Sequence, residues 1–144
     1  MDQAAALEAL QAIGQTLLGL TPASSRGAHL RVHTAGDYAG FDFWTIEQDG
    51  TESVLRTRPR GDFYDDLDDL RRATATPGGG AWYTADITVV RGGEVSARYD
   101  YDNQPDLHDP EPSSQTYVDD LREFPRTDEN TPDWLQRHIR AASD

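Results

Sequence analysis

The chain has 144 residues and a mass of 16.0 kDa. That is enough for one domain that removes roughly two thirds of its unfolded surface from water. Its 26 acids against 13 bases give a net charge of -13, which repels nucleic-acid phosphates and anionic membranes and favours solubility or a basic protein partner. Cysteine is absent, excluding disulfide scaffolds, thiolate nucleophiles and Cys-ligated metal. All thirteen bases are arginine, so Schiff-base and P-loop lysine chemistry are excluded too.

No apolar run approaches the ~20 residues needed to span a bilayer. The start, Met1-Asp2-Gln3-Ala4-Ala5-Ala6, lacks the basic region of a secretory signal. A cytoplasmic location is expected.

The elements follow from periodicity. Leu7, Leu10, Ile13, Leu17, Leu18 and Leu20 recur at three- and four-residue steps and predict a helix over 2–20, ended by Thr21-Pro22. His29–Thr34 alternates, with Leu30, Val32 and Thr34 on one face and His29, Arg31 and His33 on the other. Phe41–Glu47 predicts a second strand, Phe41 and Phe43 opposing Asp42, Trp44 and Ile46. An Asp49-Gly50 turn leads into a third strand, Glu52–Thr57. Helical spacing returns over Asp62–Ala73, with Phe63, Leu67 and Leu70 on one face, Asp62 as the expected N-cap, and Arg71 and Arg72 in the last turn.

Period-two alternation is clearest in Trp82–Val90 and Glu94–Asp102, which flank Arg91-Gly92-Gly93. Tyr83, Ala85, Ile87 and Val89 share a face with Val95, Ala97, Tyr99 and Tyr101, and predict an antiparallel hairpin with one buried side. Trp82, Thr84, Asp86 and Thr88, with Glu94, Ser96, Arg98, Asp100 and Asp102, fall on the other face. A proline-containing loop, 103–114, precedes two short helices over 115–124 and 131–142. The order predicts a single α+β domain over 1–144: an antiparallel sheet of about five strands covered by N-terminal and C-terminal helices.

The chemistry-bearing residues converge poorly. His29 and His33 lie roughly 13 Å apart along a strand, too far for one metal ion. His108 sits between Asp106 and Asp109, where a metal-dependent hydrolase is the enzyme reading. The Asp100–Glu111 stretch has Pro105 where a calcium loop needs glycine. No G-x-S-x-G elbow is present. No cofactor and no catalytic residue is expected.

Charge is more informative. Residues 97–144 hold twelve acids and five bases, a net -7. Residues 99–121 hold seven acids and no base, interleaved with Tyr99, Tyr101 and Tyr117. Asp65, Asp66, Asp68 and Asp69 form a second acidic group. Acids with aromatic anchors suit docking of a basic protein, since charge raises the encounter rate and buried aromatics lengthen the lifetime.

The run Ala81-Trp82-Tyr83-Thr84-Ala85-Asp86-Ile87-Thr88-Val89, followed by a Gly turn and Glu94-Val95-Ser96-Ala97-Arg98-Tyr99-Asp100-Tyr101-Asp102, resembles the C-terminal half of YezG-type immunity proteins. Tyr117-Val118-Asp119-Asp120-Leu121, Phe124-Pro125-Arg126 and Pro132-Asp133-Trp134-Leu135 are similar to the end of actinobacterial relatives, including immunity factors paired with necrotizing NAD-degrading toxins. The resemblance covers roughly residues 80–140. It implies an antitoxin that occludes a cognate secreted toxin, a nuclease or an NAD-degrading enzyme, encoded next to it, without doing chemistry itself. It also implies a basic side chain entering the cofactor site of an NAD-degrading toxin. Without lysine, an arginine such as Arg98 or Arg126 would fill that role.

The expected toxin-binding residues are Trp82, Arg98, Tyr99, Asp100, Tyr101, Asp102, Asp106, Asp109 and Glu111, with Asp65, Asp66, Asp68 and Asp69 as a second patch. The competing reading is a small-ligand-binding or regulatory α+β domain that pairs through its sheet.

Overall fold

A computed structural model describes every residue except Asp109 and Asp144. The first helix, α1 (Gln3–Leu20), starts where the Asp2 carboxylate accepts the Ala5 N–H, a side-chain N-cap. It is followed by β1 (Gly27–Ala35), β2 (Tyr38–Ile46) and the short β3 (Glu52–Val54). Then come α2 (Asp62–Thr74), β4 (Thr84–Val90), β5 (Val95–Asp100), α3 (Ser114–Glu123), a turn of 3-10 helix (Asp128–Asn130) and α4 (Asp133–Ser143). The fold is α+β. The sheet has five strands in the order β3-β2-β1-β4-β5, and every pairing is antiparallel.

One face of the sheet carries Leu30, Val32, Phe43, Ala85, Ile87 and Val89, all buried. On it lie Ile13 and Leu17 of α1 and Phe63, Leu67 and Leu70 of α2, the stripes expected from their spacing. Each such side chain contributes about 1.5–3 kcal/mol when buried. Gly14, a poor helix residue, lets α1 approach the sheet: a Cβ there would stand 3.3 Å from the Val95 side chain. A second cluster, Ala35, Tyr83, Tyr117 and Leu135, fastens α3 and α4 to one end of the sheet.

Strand β2 starts three residues before the expected Phe41, and four further differences from the sequence reading have local causes. The N-cap of α2 is Gly61, at φ +66°, so Asp62 is the first helical residue instead of the cap. The third strand stops at Val54 because Leu55 turns into the core and its carbonyl accepts the Arg58 guanidinium. The fourth strand begins at Thr84, and Trp82 lies outside the alternation that placed it on the polar face. The fifth strand ends at Asp100, whose carboxylate accepts the backbone N–H groups of Asp102 and Asn103 and turns the chain.

Candidate docking surfaces

The second face of the sheet is polar, and the register lays its residues out in rows. Arg98, Asp86, Arg31 and Asp42 stand side by side on β5, β4, β1 and β2, alternating in charge. The next row runs Ser96, Thr88, His29, Trp44 and Val54. His29 ties this face together. Its Nδ1 lies 2.8 Å from Glu52 and its Nε2 lies 2.7 Å from Asp86, and the ring stacks on Trp44 at 4.7 Å. Carboxylates only accept, so the ring donates to both when doubly protonated. Arg31 donates to Asp86 at 2.9 Å and lies over the Trp44 ring.

The loop after β5 crosses one end of this face. The Asp106 N–H points at His33 Nδ1, and Leu107 lies beside Gly40. Burial lowers the His33 pKa, partly offset by the Asp106 charge.

The helical layer presents a different electrostatic picture. Asp62, Asp65, Asp68 and Asp69 are exposed on α2, and Asp66 is partly so. Asp66 and Asp69 line a groove with Asp2 and Glu8 of α1. Asp68 lines a groove on the other side of α2, with Tyr38 and Tyr64. Burial raises the Asp66 pKa above its ordinary value, and the charges of Asp69, Asp62 and Asp65 raise it further. Burial likewise raises Asp68, with Arg72 opposing and Asp65 and Asp69 adding. The helix has two bases. Arg72 is exposed and reaches Asp69 at 3.6 Å and Glu123 at 3.5 Å. Arg71 is buried and committed elsewhere.

Arg71 forms a bidentate pair with Asp120 of α3, both almost fully buried. Its Nε donates to the Trp82 carbonyl, and its guanidinium lies against the rings of Trp82, Tyr83 and Phe124. Asp120 also accepts the Gly36 N–H from the β1–β2 turn. This assembly joins α2, α3, the β1–β2 turn and the segment before β4.

The expected contact residues are thereby divided. Trp82 is 1% exposed; its indole N–H donates to Thr74 and its ring stacks on Tyr99. It is a core residue, which corrects its assignment to a contact surface. Tyr99 and Tyr101 are half-buried on the same side. Burial pushes the Tyr99 hydroxyl up to about 12, and the Tyr101 hydroxyl donates to the Thr74 carbonyl.

Arg98 is exposed on the polar face. Burial pulls the Asp100 carboxyl upward, yet hydrogen bonds from Asn103 and Asp102 hold it below its ordinary value. Asp102, Asp106 and Glu111 are exposed, with Asp106 bonded to His108. Asp109 lies outside the described residues. The acids of α2 and those around Asp100 therefore sit on opposite layers and make two patches. Arg126 is unsuited to insertion into a partner, because it donates to the carbonyls of Ala81, Tyr101 and Asn130 beneath Tyr83.

Sequence reasoning missed the network of His29, Trp44, Arg31 and Asp86. Its signal was present as strict alternation on three strands, but bridges spanning 23 and 57 residues need the register. Among the described residues no three His, Asp or Glu side chains converge as a metal site, and no helix is long and apolar enough to cross a membrane. No family model matches the chain, and no curated protein matches it.

Proposed function

We propose that this chain is an immunity protein, a stoichiometric inhibitor that docks on a cognate secreted toxin in the cytoplasm and covers its active site. The observation that carries the reading is the exposed acidic face of α2, where Asp62, Asp65, Asp66 and Asp69 crowd together with Arg72 as the one exposed base of the helix. Like charges held this close repel, and a cationic partner relieves that repulsion on docking. A nuclease fits best, because its groove is built to hold phosphate. For an NAD-degrading toxin the basic group would be Arg98, which is exposed where Arg126 is tied down. Asp100, Asp102, Asp106 and Glu111 form the secondary patch.

The test is co-expression with the product of the adjacent gene. Rescue from toxicity and co-purification as a one-to-one complex are expected. The triple variant Asp65→Asn, Asp66→Asn, Asp69→Asn should associate roughly tenfold more slowly at low salt. A toxic neighbour that is neither bound nor neutralised refutes the proposal.

A further inference from the structure

From the free edge of β5 we infer that two copies of this chain pair antiparallel, strand β5 against strand β5, in a two-fold dimer centred on Ser96. This pairing does not rest on the toxin reading, but it occupies Arg98, the residue that an NAD-degrading toxin would need free.

Strand β5 lies at one end of the sheet order, so among the described residues one of its edges has no strand beside it. Which backbone groups face outward follows from the ladder. Thr34 N–H donates to Tyr83 O and Arg91 N–H donates to Arg26 O, at the two ends of the β1–β4 pairing. Odd-numbered residues of β4 therefore bond to β1, and Thr84, Asp86 and Thr88 turn their groups to β5. Their partners Asp100, Arg98 and Ser96 bond back to β4. That leaves the N–H and C=O groups of Val95, Ala97 and Tyr99 directed outward. A strand edge of this kind is a template for another strand.

The charges select the occupant and the register. Glu94 stands two residues before Ser96, Arg98 stands two after, and both are exposed. The carboxylate beside Arg98 within the sheet, Asp86, is already held by His29 and Arg31. A two-fold axis through Ser96 places Glu94 opposite Arg98 of the second copy, and Arg98 opposite the second copy's Glu94. It also sets Val95 against Ala97 in hydrogen-bonded pairs, using the outward groups just derived. Shifting the axis to Ala97 would keep those backbone bonds but set Glu94 against Asp100, like charge on like. A strand that is self-complementary in charge and in backbone parity fits its own copy.

The same edge borders a groove lined by Leu7, Gln11, Gly14, Leu18 and Val95, between α1 and the sheet. Leu7 is 54% exposed, and the α1 of a second copy would cover it.

The experiment measures the mass of the purified full chain in solution by light scattering across a concentration series. A dimer is expected. Glu94→Arg or Arg98→Glu alone should weaken self-association roughly tenfold by opposing like charges twice, and the double reversal should restore it. Because the chain has no cysteine, Ser96→Cys reports the register. In a non-hydrogen-bonded pair the two Cα atoms stand about 4.5 Å apart, within disulfide reach. Oxidised glutathione should link this variant into covalent dimers. The same treatment of Thr88→Cys, on the same face but inside the sheet, should leave monomers. A wild-type chain that stays monomeric at its highest soluble concentration overturns the inference. So does a dimer indifferent to the charge reversals and to Ser96→Cys oxidation.

Discussion

The polar face of the sheet and the outer face of α2 both carry many charges, yet they hold them in opposite ways. On the sheet, Arg98, Asp86, Arg31 and Asp42 alternate across four strands, and His29 bridges Glu52 to Asp86. At the centre of that face Glu52, His29, Asp86 and Arg31 satisfy one another within the molecule, while Arg98 stands at the β5 edge outside these bridges. On α2 the acids follow one another, and burial first, with the neighbouring carboxylates adding to it, raises the pKa values of Asp66 and Asp68, Arg72 opposing at Asp68. Charge there is left uncompensated. A surface that has satisfied its own ions gains little from a partner's, whereas one that has not gains both contact and relief of repulsion. For that reason the helical layer is the better candidate for a cationic partner.

The comparison is broken most severely at the pair that holds α2 in place. Asp120→Ala leaves the Arg71 guanidinium buried without its counter-ion and removes the acceptor of the Gly36 N–H. A loss of about 3–5 kcal/mol is expected in chemical denaturation. The double variant Arg71→Met, Asp120→Ala should recover part of it, since no unpaired charge then remains. If the single and double variants lose the same stability, the pair acts through packing alone.

A smaller effect is expected on the sheet face. Trp44→Ala removes the stack on His29 and the surface beneath Arg31, and frees both groups from one side. The loss should be about 2 kcal/mol, combining an aromatic pair with an exposed cation–π contact. Trp44→Phe should keep about half of it. A change within error for Trp44→Ala would show that the ion bridges alone order this face.

How much of this was legible in the sequence differs between the layers for a physical reason. The period-two pattern of Thr84–Val90 and Val95–Asp100, and the stripe of Phe63, Leu67 and Leu70, are local statements about which side of an element is dry. They predicted the hairpin, the helices and the five-strand antiparallel sheet. Trp82 was misplaced because alternation was extended two residues beyond the ladder, where Arg71 and Thr74 fix the chain instead. Arg71 itself read as an ordinary last-turn cation, while its partner lies 49 residues on. Arg126 looked free for the same reason. Its three carbonyl partners come from separate segments, and no spacing in the sequence encodes their convergence. The acids of α2 were legible as a group, because a run within one helix keeps its members together however the domain folds.

The smallest effect is the one that most directly tests whether α2 holds uncompensated charge. Folded-state pKa values above the ordinary 3.8 mean that the folded chain binds these protons more tightly than the unfolded one. Stability linked to Asp66 and Asp68 is therefore greatest when they are protonated, and it falls as pH rises through the window just above 3.8. Asp66→Asn with Asp68→Asn should remove that penalty at neutral pH. Because the helix face is solvated, the gain is only a few tenths of a kcal/mol, about 1–2 °C in melting temperature. The share that comes from neighbouring carboxylates should shrink in high salt, while the share from burial persists, and the whole gain should vanish near pH 3, where the wild-type carboxyls are themselves neutral. The same double variant should lose association rate toward a cationic partner. Greater stability with slower docking is the signature of charge kept for binding. A double variant that melts lower at neutral pH would show instead that these carboxylates support the fold, and the contrast between the two layers would fail.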